Sequence, residues 1–286
     1  MLIEIKAKTR LPPDSYADCT PPREGKTLVM APSTKTRSEA RADASALCSA
    51  AKGAALGATP VAIGSQAAIL RTRRGQTLAL SFDGGETAFI VRAGVLTLQL
   101  TLPDSSRQIV ALLFSGDVFR SNFIPPHAEA TLASAGAGEV WRMRLAALDN
   151  LAASDPAVAR YLDQALASQL ARQALHVATL GQFNCEQRVA TLLVELALRT
   201  GVSSPSGVAF DLPFNRKDIA DYLGLNPDTL SRIMSRLKAA GLIGHSERNR
   251  AVVRDFPALA ARSPAARSLL EISGRGRIDP ALGGAV

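Results

Sequence analysis

Residues 216–241 read RKDIADYLGLNPDTLSRIMSRLKAAG, and this stretch decides the fold. Ile219, Leu223, Leu225, Leu230 and Ile233 supply apolar positions for two short helices, and Ala220 is small where the helices would cross. Gly224 stands where the chain must turn sharply, a place that suits a positive φ. The second helix opens on Asn226-Pro227-Asp228: an N-cap residue, a proline in the first turn and an acid near the positive end of the helix dipole. Its polar face carries Asp228, Ser231, Arg232, Ser235 and Arg236. A short second helix with arginines facing outward is what a DNA major groove accepts, so the stretch predicts a helix-turn-helix.

The rest of the chain sets this element in context. A length of 286 residues suggests two domains, and 47% hydrophobic residues are globular. The net charge of +8 favours a polyanionic partner. No apolar run reaches a membrane-spanning length, and the start, MLIEIKAKTRLPPDSY, lacks the basic-then-apolar order of a secretory signal. The cysteines are Cys19, Cys48 and Cys185, odd in number and far apart, which argues against a disulfide framework and for a reducing compartment, the cytoplasm.

Residues 1–60 read as a flexible extension, punctuated by Pro12, Pro13, Pro21, Pro22 and Pro32. Residues 61–143 carry short β-rich runs, among them TAFIVRAGVLTLQLTL and RQIVALLFSGDVF, separated by turns such as Asp83-Gly84-Gly85 and Ser115-Gly116-Asp117. Close-spaced short strands predict a roll, sandwich or barrel. Residues 144–182 follow as a dimerisation segment whose long helix starts at Asp155-Pro156. Its apolar stripe, Val158, Leu162, Leu166, Leu170, Ala174 and Val177, is narrow enough to pair with the same helix of a second subunit, the alternative being a helix packed on its own β-domain. Residues 183–256 hold a helix from about Cys185 to Arg199, the strand VAFDLPF, the helix-turn-helix and a hairpin, GHSERNRAVVRDF. Residues 257–286 read as a loosely attached tail. The fold expected is α+β: a β-roll, a long dimer helix and a winged helix-turn-helix.

That order, with the text LPFNRKDIADYLGLNPDTLSRIMSRLKAAGLI, resembles the Crp/Fnr superfamily of bacterial transcription regulators, on its Fnr/FixK side. The resemblance spans about Val61 to Phe256 and is most specific in the C-terminal third. It implies a roll that is like a cyclic-nucleotide-binding domain, a homodimer, and a palindromic promoter site in double-stranded DNA. RNA polymerase becomes a further partner if the protein activates transcription.

On the second helix, Asp228 and Arg232 lie four apart and so share a face. Arg232 is the candidate for two hydrogen bonds to guanine, Asp228 for orienting that guanidinium or accepting from cytosine, and Ser231 for lying against base edges. Arg216, Lys217, Thr229, Arg236 and Lys238 are the candidates for phosphates, where they add affinity without sequence choice. Fnr-like members carry Glu-x-x-Ser-Arg here, and similarity implies a TTG…CAA inverted repeat. This chain has the shorter Asp228 in place of the glutamate.

The signal is less legible. The family's cyclic-AMP binders clamp ribose and phosphate with a Gly-Glu pair and a downstream Arg-Ser pair. Here Ser121 takes the glutamate's place, and His127-Ala128-Glu129-Ala130-Thr131 lacks the Arg-Ser pair, which argues against cyclic AMP. An all-cysteine iron–sulfur cluster needs four thiolates, one more than the chain has. For haem, His127 and His176 are the candidate axial ligands, each weighed against an ordinary surface or helix histidine. Cys185, between the dimer helix and the DNA-binding region, is a candidate redox switch, provided a neighbour such as Arg188 lowers its pKa. Its alternative is a small buried apolar residue, and an effector-free regulator is the remaining option.

Other classes fit worse. A cupin-like β-barrel enzyme needs clustered histidine and carboxylate ligands, and the β region has His127 alone. An RNA-binding platform needs aromatic stacking residues, and aromatic residues make up 5% of the chain.

Overall fold

A computed structural model describes residues 59–82, 84–101, 107–247 and 250–274. The expected extension, residues 1–60, lies outside these except for Thr59 and Pro60.

A short helix, α1 (Val61–Gln66), leads into nine strands: β1 (Ala68–Thr72), β2 (Thr77–Leu78), β3 (Ser81–Phe82), β4 (Gly85–Ala93), β5 (Leu96–Thr101), β6 (Arg107–Leu113), β7 (Val118–Arg120), β8 (Glu129–Ser134) and β9 (Gly138–Arg144). They pair antiparallel into two sheets, β1-β9-β4-β3 with β7 on β4, and β2-β8-β5-β6. Phe89, Phe119, Leu96, Leu113, Leu132 and Val140 fill the space between the sheets. Burying these aliphatic and aromatic side chains closes the roll. At the β4–β5 turn Gly94 has φ +85°, and a Cβ there would sit 2.8 Å from the Ala137 carbonyl oxygen, so only glycine fits.

The segment expected to hold one dimer helix contains two, α2 (Leu145–Ser154) and α3 (Pro156–Gln182). Asp155 breaks them: its side chain caps α3 by accepting from the Ala157 amide, and Pro156 occupies the first turn. Helix α2 packs back on the roll through Leu145 and Leu148.

Helix α4 (Cys185–Thr200) is capped by a reciprocal box between Asn184 and Gln187. The winged domain follows: β10 (Val202–Ser204), β11 (Gly207–Asp211), α5 (Arg216–Leu223), α6 (Pro227–Ala239), β12 (Ile243–Glu247) and β13 (Arg250–Val253), with the sheet ordered β10-β11-β13-β12.

The expected loose tail is corrected through residue 274. Helices α7 (Phe256–Ala260) and α8 (Ala266–Gly274) pack on α4, with Leu259 and Leu269 buried and the Ser263 hydroxyl 2.8 Å from that of Thr191. The spacing of Ala265, Ala266, Leu269 and Leu270 is that of a buried helical stripe, hidden in the sequence by the surrounding Ala, Ser and Arg.

One hydrophobic core holds both halves of the molecule together. Val95, Ile109, Leu112 and Phe114 of the roll pack in the same cluster as Leu193, Leu196, Ile219 and Leu223 of the DNA-binding half. The outer face of the β5–β6 sheet is therefore covered by the winged domain rather than by solvent.

Candidate nucleic-acid interface

The helix-turn-helix is held by local chemistry. The Asn215 side chain accepts from the Asp218 amide, and the Asp218 carboxylate accepts from the Asn215 amide, so α5 starts on a capping box. The helix ends at Gly224 with φ +60° and ψ +44°, the left-handed conformation the sequence predicted. The Arg188 guanidinium donates to the Leu223 carbonyl at 3.2 Å, placing a cation at the C-terminal end of α5. Helix α6 starts where predicted, with the Asn226 side chain accepting from the Asp228 amide.

Leu230, Ile233 and Leu237 face the core, which turns the opposite face of α6 outward. Asp228, Arg232, Ser235, Arg236 and Lys238 are exposed on it, as is Lys217 at the start of α5. Among the described residues no hydrogen bond or ion pair engages Arg232, so its guanidinium donors are available to a ligand.

Three candidate residues sit differently from expectation. The Ser231 hydroxyl donates to the Pro227 carbonyl at 2.9 Å and accepts from Arg216 Nη1 at 3.1 Å. It holds Arg216 against α6 rather than standing free for base edges. Thr229 is half-buried and lines a cleft with Asn184, Glu186 and Ile233. Arg236 lies 3.7 Å from Glu186, which also pairs with Arg262. An exposed pair at that distance is weak and yields readily to a phosphate.

Two polar links between the domains had no signal in the sequence. Arg107 of β6 donates to Asp218 at 2.9 Å and to Asp221 at 2.5 Å, and Gln108 Nε2 donates to the Asp221 carbonyl at 2.5 Å. Burial works against the Arg107 charge, but the two carboxylates outweigh it and raise its pKa. The second link is Asp117, fully buried in the turn after β6. Its Oδ1 accepts from Arg172 of α3 at 2.5 Å and from Arg199 of α4 at 3.0 Å, and its Oδ2 accepts from the Phe114 amide at 2.9 Å. Glu195 is buried beside them, and burial pushes its carboxyl pKa up against the pull of Arg172 and Arg199. One turn of the roll thus anchors both the long helix and the DNA-binding half.

A Crp-like helix-turn-helix domain model matches residues 187–262. Over 182 residues the chain is 34% identical to a probable transcriptional activator of Rhizobium leguminosarum bv. viciae, covering 62% of this chain and 74% of that protein. It is 33% identical over 181 residues to the nitrogen fixation regulation protein FixK of Azorhizobium caulinodans, covering 61% of this chain and 70% of FixK. The chain belongs to the Crp/Fnr superfamily. Its fold matches that of FixK2 from Bradyrhizobium japonicum with a TM-score of 0.59 at 29% identity, over 70% of this chain and 98% of that one. It is a DNA-binding transcription regulator of FixK-like type, not an enzyme.

The superfamily's cyclic-nucleotide chemistry does not fit the residues of this roll. Thr77, Ser81, Glu86, Ser121 and Thr131 line an open cleft beside β2 and β8, and among the described residues no lysine or arginine lines it. A cyclic phosphate there would meet the Glu86 carboxylate without a cation. The Ser121 hydroxyl already accepts from the Thr87 amide at 2.9 Å. Arg120, next to it, is turned to Asp149 at 2.9 Å.

The haem candidates fit no better. His127 is exposed in a turn with φ +61°. His176 is stacked face to face on Tyr222, ring centres 3.9 Å apart and 5° from parallel. The cavity beside it, about 10 Å³, is the size of one water molecule.

Cys185 is likewise not the free thiol expected. It is buried, and its sulfur is disulfide-bonded. Arg188, the expected source of a lowered thiol pKa, is occupied by the Phe183 and Leu223 carbonyls. Among the described residues no helix is long and apolar enough to cross a membrane.

Proposed function

We propose that the protein works as a homodimer that reads an inverted repeat, of the TTG…CAA type, by placing α6 of each subunit in successive major grooves. The pattern of exposure along α3 carries this proposal. Leu170 and Val177 are 71% and 65% exposed, against 5% for Leu162. An i+4 row drifts by about 40° per step around a helix, so the stripe read in the sequence winds from one face to another. Its start, Val158 and Leu162, packs on the subunit's own roll with Leu148 and Ile90. The exposed face is instead Asp163, Ala167, Leu170, Ala174, Val177 and Gly181, which alternate steps of four and three. That is a 3.5-residue repeat, the seam of a left-handed coiled coil. The small Ala167, Ala174 and Gly181 in this seam suit close approach of two helices. Leu166 is half-buried at its edge.

Dimerisation doubles the reading head, and half-sites about one helical turn apart follow from that symmetry. Within each head, Arg232 reads a guanine, Asp228 orients it, and Ser231 acts by holding Arg216 at the backbone. Relatives named as activators favour a promoter-bound role in which the protein touches RNA polymerase in the cytoplasm. The test is a fluorescence-anisotropy titration on a duplex carrying the inverted repeat and on an unrelated duplex. Arg232→Ala should cost about 1–3 kcal/mol on the repeat alone. Unchanged preference for the repeat would falsify the assignment.

A further inference from the structure

A cleft of about 340 Å³ lies between the roll and the reading head, lined by Arg74, Arg216, Lys238 and Arg250 together with Ser231 and Ser235 of α6. Among the described residues no carboxylate lines it. Three of its four cations belong to the winged domain, but Arg74 comes from the β1–β2 turn of the roll. That turn is firmly placed: the Gly75 amide donates to the Ser134 carbonyl at 2.7 Å, and the Ser134 amide donates to the Gln76 carbonyl at 2.9 Å. Among the described residues the buried Arg250 Nε has no hydrogen-bond partner, and such a donor costs free energy until something accepts from it. Converging guanidinium and ammonium groups without acids repel one another, and a phosphate relieves both problems with charge-assisted hydrogen bonds.

We propose that this cleft clamps a backbone phosphate of the bound duplex beside the base-reading face, which makes Arg74 of the sensor-like roll a DNA-contact residue. The inference rests on α6 lying in the major groove, since that pose carries the sugar–phosphate chain past the start of α5, where Arg216 stands. It gives the roll a direct hand in affinity: any signal that moves the β1–β2 turn adds or removes a phosphate contact.

The test uses the full-length protein, Arg74→Ala and Arg250→Gln, with Arg232→Ala as reference, by anisotropy at several salt concentrations. The duplexes are a repeat with long flanks, the same repeat trimmed flush, and an unrelated sequence. Arg74→Ala should weaken binding to long specific and unrelated duplexes by the same factor, and lower the slope of log K against log salt by about 0.9 per lost contact, so about 2 for a dimer. The loss should shrink on the trimmed duplex, and Arg250→Gln should act in the same direction. Unchanged affinity and slope would overturn the proposal, as would tighter binding by Arg74→Ala, which would make Arg74 a block. Pyrophosphate binding to the wild type, lost in Arg74→Ala without any change in DNA slope, would assign the cleft to a free anion and overturn it too. If Arg74→Ala is silent while Arg232→Ala loses preference for the repeat, the clamp falls alone. If Arg232→Ala keeps that preference, the groove assignment itself falls.

Discussion

Asp117→Ala should be among the most damaging single substitutions in this protein. The carboxylate is fully buried and is the shared acceptor for Arg172 and Arg199, whose side chains are only 7% and 12% exposed. Removing it leaves two guanidinium groups facing each other in a dry site with no anion hydrogen-bonded between them. Breaking one buried pair in this way costs about 3–5 kcal/mol. The Phe114 amide also loses its acceptor, roughly another 1 kcal/mol. Relief comes from the buried Glu195, which can rotate toward the vacated charge, so we expect a net loss of about 3–5 kcal/mol. For a chain of this size that lowers the melting temperature by on the order of 10 °C. Calorimetry and urea unfolding of the wild type and Asp117→Ala measure it, and Arg172→Met in the Asp117→Ala background should recover part of the loss by removing one stranded cation. A loss below about 1 kcal/mol would mean that water reaches the site and that this turn does not anchor the two helices.

Further expectations follow from other parts of the molecule. Burial pushes the His176 imidazole down to about 4, below its unfolded value of about 6.5. Between these values the unfolded chain takes up a proton that the folded one refuses. The resulting stability is full above about pH 6.5 and drains away as pH falls toward 4, by about 2–3 kcal/mol. His176→Phe keeps the stack on Tyr222 and should flatten that part of the pH–stability curve; an unaltered slope would contradict the burial of the ring. On the exposed seam, Leu170→Glu with Val177→Glu should turn the dimer into a monomer in sedimentation at micromolar concentration while leaving the monomer's melting profile nearly intact; a persistent dimer would place the interface elsewhere. We also expect the disulfide at Cys185 to make the protein redox-responsive: dithiothreitol should shift the affinity for the repeat in the wild type and not in Cys185→Ser. Equal affinities with and without reductant would remove the redox role.

The amino-acid sequence alone determined what local chemistry decides. The caps at Asn226 and Asp155, the left-handed Gly224, the core-facing Leu230 and Ile233 and the outward Arg232 all depend on neighbours within a few residues, so their pattern survives in a linear text. The same holds for the strands of the roll and the wing. The α3 stripe was half legible: its apolar content is local, but which turns face the roll and which face a partner depends on how the helix is rotated against β-strands far away in sequence. Leu162 and Leu170 are the same residue type on the same helix, and only packing separates them. Nothing near Arg107 announces Asp221, and nothing near Asp117 announces Arg172 and Arg199, because those pairs are 114, 55 and 82 positions apart. Their charges read as ordinary surface residues until burial takes the water away. The tertiary structure also decided that the winged domain covers the outer face of the roll and brings Arg74 to the reading head. Charge and hydrophobicity in the sequence marked which groups needed partners; the docking of two domains through one apolar core chose them.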